Sequence, residues 1–278
     1  DTDGQMPNTR VNGVGSYWEE RGAGQAMVLV HGSWGDHNNW ARVVPGLAEH
    51  YRVVTYDRRG HSRSERPPTQ GSLREDAQDL AALLQELGTT PAHVVGNSGG
   101  AAVALTLAAA RPELFGTLMV HEPPLFALLA GDDALQGPLA AVQTRVGAVI
   151  EKLEGGDDAG AARLFVETIA FGPGAWAELP EDLRQTFIGN APTFLDETRD
   201  PDGLGVDLEG LRRFDRPTLL SQGESSPPFF PAVIRKLAAA IPQAQLGTFA
   251  GAGHVPHLSH PAEYVARVRE FVEGVGGE

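Results

Sequence analysis

Gly96-Asn97-Ser98-Gly99-Gly100 holds the residues with the plainest chemistry in this chain. A serine hydroxyl can act as a nucleophile when it stands on a sharp strand-to-helix turn, projecting clear of its own backbone. Glycines on both sides let neighbouring backbone close in on that turn. A helix beginning straight after the serine aims its first N–H groups, and the positive end of its dipole, at an oxyanion forming on the attacked carbonyl. Both flanks are present: Ala92 to Val95 reads as a strand and Gly99 to Ala110 as a helix of small residues, closed by Arg111-Pro112. A second donor is expected from His31-Gly32-Ser33-Trp34-Gly35, a turn at the end of the apolar run Ala26 to Val30. There the backbone N–H of Ser33 is expected to join that of Gly99 in an oxyanion hole. Trp34, Asn97 and Phe126 are expected at the walls of the substrate pocket.

Holding such groups together requires a scaffold, and the chain alternates short apolar runs with helix-like stretches. Arg52 to Tyr56 reads as a strand ending at Asp57, and Asn39 to His50 as an amphipathic helix. Ser72 to Leu87 carries Leu73, Ala77, Leu80, Leu83, Leu84 and Leu87 at helical spacing, with Ser72 and Glu75 as its capping box and Gly88 as its stop. Leu114 to His121 is a further strand. The rhythm changes at Pro123-Pro124. From there to about Leu211 the patterns are helical, as in Val142 to Leu153 and Ala159 to Ala170. Gly155-Gly156, Gly172-Pro173-Gly174 and Pro192 punctuate that stretch. Strand and helix then alternate again through Pro217 to Ser221, Phe230 to Ala240, Gln245 to Phe249 and Pro261 to Val272. The expected fold class is α/β, a doubly wound, mostly parallel sheet formed by residues 1–122 and 212–278, with residues 123–211 as a helical cap.

The motifs together resemble the α/β-hydrolase fold family. The resemblance is carried by His31-Gly32, by Asp57-Arg58-Arg59-Gly60-His61-Ser62-Arg63-Ser64, by Gly96-Asn97-Ser98-Gly99-Gly100 and by Gly253-His254, in the family's order from about residue 14 to residue 273. It implies a general base on the loop after the last strand, which points to His254. In the Asp57 segment Ser62 replaces the family's second glycine, and Asp57 is expected to build the neighbouring loop rather than to react. The family's usual acid follows the strand at Pro217 to Ser221 in a Gly-x-x-Asp pattern. Here Gly223-Glu224-Ser225-Ser226 puts a serine at that place, and serine holds no negative charge against an imidazolium. The expected acid is therefore Glu122, at the end of the strand before the cap, an arrangement that some family members resemble; Glu224 is the alternative.

Ser98, His254 and Glu122 then imply a serine hydrolase acting on a small, mostly apolar carboxylic ester or lactone, acyl-homoserine lactones among the candidates. Carbon–carbon bond hydrolysis, a lyase reaction, perhydrolysis and a non-catalytic ligand receptor remain alternatives on the same scaffold. No dinucleotide or P-loop fingerprint follows a strand, so no cofactor is expected. His254, His257 and His260 crowd together without an acidic ligand, and no metal is expected there. Twenty-two basic against 36 acidic residues, a formal net charge of −14, argue against nucleic acid and anionic membranes as partners. Cysteine is absent, which excludes disulfides and thiolate chemistry. No apolar run has the ~20 residues of a spanning helix, and the polar start from Asp1 to Thr9 has no signal-peptide core, so a cytoplasmic location is expected.

Overall fold

The apolar runs become neighbouring strands in the computed structural model, which describes residues 8–276; the stretch from Asp1 to Pro7 lies outside the described residues, as do the last two positions. The strands are β1 (Asn8–Val11), β2 (Val14–Arg21), β3 (Ala26–Val30), β4 (Arg52–Tyr56), β5 (Ala92–Asn97), β6 (Phe115–His121), β7 (Thr218–Gly223) and β8 (Ala244–Phe249). They form one eight-stranded sheet in the order β1-β2-β4-β3-β5-β6-β7-β8. All pairs from β4 to β8 are parallel, while β1 and β2 are antiparallel additions at one edge. The sheet is thus mostly parallel and flanked by helices, as its alternating pattern predicts.

Burial on both faces explains the unbroken apolar runs. In β3, Val28 and Val30 join one hydrophobic cluster while Met27 and Leu29 join another on the opposite face. The helices Leu73–Glu86 and Gly99–Ala110 pack in the first cluster, and Pro261–Val275 in the second. Ser72 caps the first of these helices by accepting from Glu75 N at 3.2 Å, but the Glu75 carboxylate meets the Ser72 hydroxyl at 3.2 Å and not its backbone N–H, so half of the expected capping box forms. Between β6 and β7 the described chain forms no strand but includes the helices Gln136–Glu154, Asp158–Phe165 and Glu181–Arg199. These share a separate cluster of Val149, Leu153, Ala161, Ala162, Val166, Phe187, Ala191 and Phe194.

Local expectations fail in two places, and one element lies outside them. Asn39 to His50 is not one helix: a 3-10 turn His37–Trp40 precedes a short helix Val44–Ala48, because Pro45 starts a new helix instead of continuing one. Pro192, read as punctuation, sits inside the helix Glu181–Arg199, whose buried Phe187, Ala191 and Phe194 hold it in place. The hairpin of β1 and β2 is not among the expected strands; Asn12-Gly13 between Val11 and Val14 is its turn signal, with φ of 47° and 83°.

The β3–β5 pair marks where the winding reverses: the chain goes from β3 outward to β4, then returns to the other side of β3 as β5. Connections leave the sheet in opposite directions there, which opens a crevice at the strands' carboxyl ends. Ser33 follows β3, and Ser98 follows β5.

Buried histidines link this fold to pH. Burial holds His31 well below its ordinary 6.5, lowers His93, and depresses His61 to about 3, His121 to about 4 and His257 to about 3. The unfolded chain therefore takes up protons below about pH 6.5 that the folded chain refuses until far lower, so stability falls with pH in that window. Asp76, pushed up to about 6 by burial, works in the opposite direction, as do Asp36, raised by burial, and His37, raised beside Asp57, but the lowered groups outnumber them. Each refused proton removes up to about 1.4 kcal/mol per pH unit. The urea midpoint should drop steadily between about pH 7 and about pH 4.5; a flat profile would contradict neutral buried imidazoles.

Candidate active site

Ser98 is forced into an unusual backbone conformation, φ 54° and ψ −122°, between the end of β5 and the helix Gly99–Ala110. Its N–H donates to the carbonyl of His121 at 2.9 Å, which anchors the turn to β6. The flanking glycines are required by close approach. A Cβ on Gly100 would run into the carbonyl oxygens of Val30 and His31, and one on Gly96 would stand 2.7 Å from the Gly100 oxygen. The helix start and the turn after β3 meet beside Ser98: a Cβ on Gly99 would lie 3.3 Å from Ser33 N. The two expected oxyanion donors are therefore neighbours.

Buried polar residues hold that turn. His31 is fully buried, and its Nε2 accepts from the backbone N–H of Arg58 at 2.9 Å. Its Nδ1 therefore carries the proton and donates to the Gly32 carbonyl at 2.8 Å. Burial, with His61 and Arg58 nearby, keeps this imidazole neutral. Asp57 is also fully buried and accepts from the backbone of His37 at 2.8 Å and of Arg63 at 3.0 Å. Ser62 stands at φ 44°, which explains why glycine is usual there; its hydroxyl donates to Asp36 at 2.8 Å.

Glu122 follows β6 with φ 46° and has no solvent exposure. Oε1 accepts from Gly223 N at 2.7 Å, and Oε2 accepts from His254 Nδ1 at 2.6 Å. Burial alone would raise this carboxyl, but the hydrogen bonds from His254 and from the Gly223 amide hold it below its ordinary value. Glu224 is placed differently: it accepts from Gly251 N at 2.7 Å and is exposed. The hydroxyl of Ser226 is buried without a hydrogen-bond partner. His254 stacks on Phe230, ring centroids 4.8 Å apart, and its Nδ1–H points at Glu122, leaving Nε2 with its lone pair as a proton acceptor.

His121 is a group that sequence reasoning passed over. Its Nε2 donates to the Gly253 carbonyl at 3.1 Å, directly before His254, and its Nδ1 accepts from the Ser221 hydroxyl at 2.9 Å. This neutral imidazole ties β6, β7 and the His254 loop together. Its only signal in the sequence was adjacency to Glu122 at a strand end.

Ser33, Ser98, Gly99, Phe126 and His254 line a common cavity of about 1220 Å³. Trp34 and Asn97, expected at its walls, are not among its lining residues. Trp34 instead stacks on Phe165 at 4.9 Å and packs with Phe194 at 5.0 Å, because a large apolar ring gains more from the helical insertion's core than from a wet wall. The side chain of Asn97 is buried at the end of β5. The crowded histidines go separate ways: His257 packs against Trp40 at 4.5 Å and His260 meets the Ser259 hydroxyl at 2.7 Å. Among the described residues, Asp36, His37 and Asp57 are compact enough to hold a cation, their ligand atoms lying within 4.8 Å. Their polar atoms already bond to one another, to Ser62 and to backbone amides.

Residues 25–261 match the family described as alpha/beta hydrolase fold. The chain belongs to this family. It is 39% identical over 129 residues to the uncharacterized hydrolase YraK of Bacillus subtilis (strain 168), covering 46% of this chain and 48% of that protein. The chain thus spans about half the length of that relative. The zearalenone hydrolase of Bionectria ochroleuca is 26% identical over 272 residues, 94% of this chain and 95% of its own. Among solved structures, Est816, described as an N-acyl homoserine lactone degrading enzyme, superposes with a TM-score of 0.76 at 26% identity over 95% of this chain and 100% of its own.

The two carboxylates make separable predictions. Glu122→Gln should lower kcat/KM for any Ser98-dependent reaction by about 10³-fold or more, through loss of the charge partner of His254. Glu224→Gln should leave it nearly unchanged. Steady-state kinetics on both variants checks the assignment, and the reverse order would overturn it.

Proposed function

We propose that this protein is a serine hydrolase that cleaves small, mostly apolar carboxylic esters or lactones through an acyl-enzyme on Ser98. The observation that carries this reading is the hydrogen bond of buried Glu122 to His254 Nδ1, on a histidine that lines the same cavity as Ser98. In this mechanism His254 Nε2 removes the Ser98 proton as the hydroxyl attacks the carbonyl carbon. Charge that develops on the carbonyl oxygen is taken by the N–H groups of Ser33 and Gly99. Glu122 stabilises the imidazolium and keeps its proton on the correct nitrogen. His254 then protonates the leaving alkoxide, and a water activated by the same imidazole releases the acid.

Residues 123–211 act in this reading as a cap that supplies apolar cavity wall. Phe126, Val142, Val146, Phe165 and Phe171 of that segment line the cavity beside Phe229 and Phe230. The N-acyl homoserine lactone degradation named for Est816 supports a lactone or related acyl ester as substrate.

The test is pH-stat hydrolysis of short and medium acyl esters and lactones, run beside Ser98→Ala. Acid release by the parent protein should fall by about 10³-fold or more in the variant. Equal rates in the two proteins would exclude Ser98 as the nucleophile.

A further inference from the structure

His121 takes no part in the mechanism above, yet it is tied to all three groups that do. Its backbone carbonyl accepts from Ser98 N–H at 2.9 Å. Its peptide bond leads straight into Glu122. Its Nε2 donates to the Gly253 carbonyl at 3.1 Å, and the next residue is His254. The imidazole is buried at the end of β6 and is not among the residues that line the cavity.

These contacts close a ring. Two pairs of consecutive residues, His121-Glu122 and Gly253-His254, are joined by two hydrogen bonds. One runs from His121 Nε2 to the Gly253 oxygen, the other from His254 Nδ1 to Glu122 Oε2 at 2.6 Å. The Glu122 contact by itself would let the His254 loop pivot about it. The second contact, one residue earlier, holds the backbone that carries the ring. Reacting groups must be held within about 0.5 Å of their productive geometry, and misplacement by about 1 Å can cost about 10²-fold in rate.

The ring requires one tautomer of His121. The Gly253 carbonyl can only accept, so Nε2 must carry the proton. Burial lowers this imidazole to about 4, so at neutral pH it holds one proton and Nδ1 is an acceptor. The Ser221 hydroxyl, on β7, stands 2.9 Å from that Nδ1 and 3.2 Å from the Val120 carbonyl. It has a single proton to give, and only Nδ1 lacks any other donor, so the proton goes there. Ser221 thus selects the tautomer of His121 as Glu122 selects that of His254. Neutrality matters as well: Nε2 is 3.6 Å from Glu122 Oε1, and a cation there would compete with the His254 imidazolium for one carboxylate.

We propose that His121 is a positioning residue for catalysis: its Nε2–H, oriented by the Ser221 hydroxyl, holds the Gly253 carbonyl and through it holds His254 between Glu122 and Ser98. The kinetic consequence rests on the serine hydrolase reading, whereas the orientation of His254 is independent of it.

Two variants of similar polarity separate the donor from the rest of the ring. In His121→Gln the amide nitrogen reaches where Nε2 stands and can donate to Gly253; in His121→Asn the shorter amide reaches only as far as Nδ1. With ethyl hexanoate as substrate, kcat of His121→Asn should fall about tenfold or more while KM stays within about twofold, and His121→Gln should recover most of that loss. An equal fall in both variants, or a change confined to KM, would overturn the proposal. Proton NMR needs neither turnover nor a change at His121. The far-downfield resonance of His254 Nδ1–H, identified by its absence from His254→Ala, should broaden or move upfield in Ser221→Ala, where Nδ1 of His121 loses its donor. An unmoved resonance would overturn the proposal. A moved resonance with no Ser98-dependent hydrolysis would sink the hydrolase reading alone.

Discussion

A carboxylate with no solvent exposure at Glu122 constrains everything around it. Removing an ionised carboxyl from water costs several kcal/mol unless hydrogen bonds and opposite charge replace the lost hydration. Here the Gly223 amide takes one oxygen and His254 the other, with His121 Nε2 3.6 Å from Oε1. These partners come from β7 and from the loop after β8, so the sheet order must be correct before the carboxylate can be buried. The same hydrogen bond selects the His254 tautomer that leaves Nε2 free to accept a proton. Burial of the carboxylate and choice of the His254 tautomer are one electrostatic problem at this position.

The second constraint is steric. The turn at Ser98 presses so closely on β3 that no side chain fits at Gly100, and the strained φ of Ser98 persists because the neighbouring strands over-determine it. The neutral His31 then joins the turn after β3 to the start of the Asp57 segment, by one donated and one accepted hydrogen bond. A charged imidazole could not make both contacts, which is why burial and neutrality belong together here.

The helical insertion is joined to this frame by contacts of two kinds. Trp34 enters its aromatic cluster from the turn after β3, and Asn190 donates to the carbonyls of Trp34 and Gly35 at 3.3 and 2.9 Å. Glu197 reaches back to Ser33 and Arg58. Movement of the insertion would therefore be felt at the turn that carries the Ser33 N–H.

Much of the frame was legible in the sequence because it is governed by local rules. Strands buried on both faces need unbroken apolar runs, helices need their periodic stripe and caps, and a strained elbow needs glycine, so β3 to β8 and the turn at Ser98 could be read from Ala26, Ser72, Gly96 and their neighbours. Serine in place of acid at Ser226 even directed attention to Glu122. What depends on side chains far apart in the chain could not be read. Sequence offers no measure of which way Trp34 turns, of the reach of Glu197 across 164 residues to Ser33, or of the link from His121 to the His254 loop. Those pairings are selected by the packing of the whole sheet and insertion. Residue types and their local spacing determined which groups are available; the meeting of Glu122 with His254, and of Glu197 with Ser33, was decided only by tertiary structure, because burial leaves each polar group one set of partners.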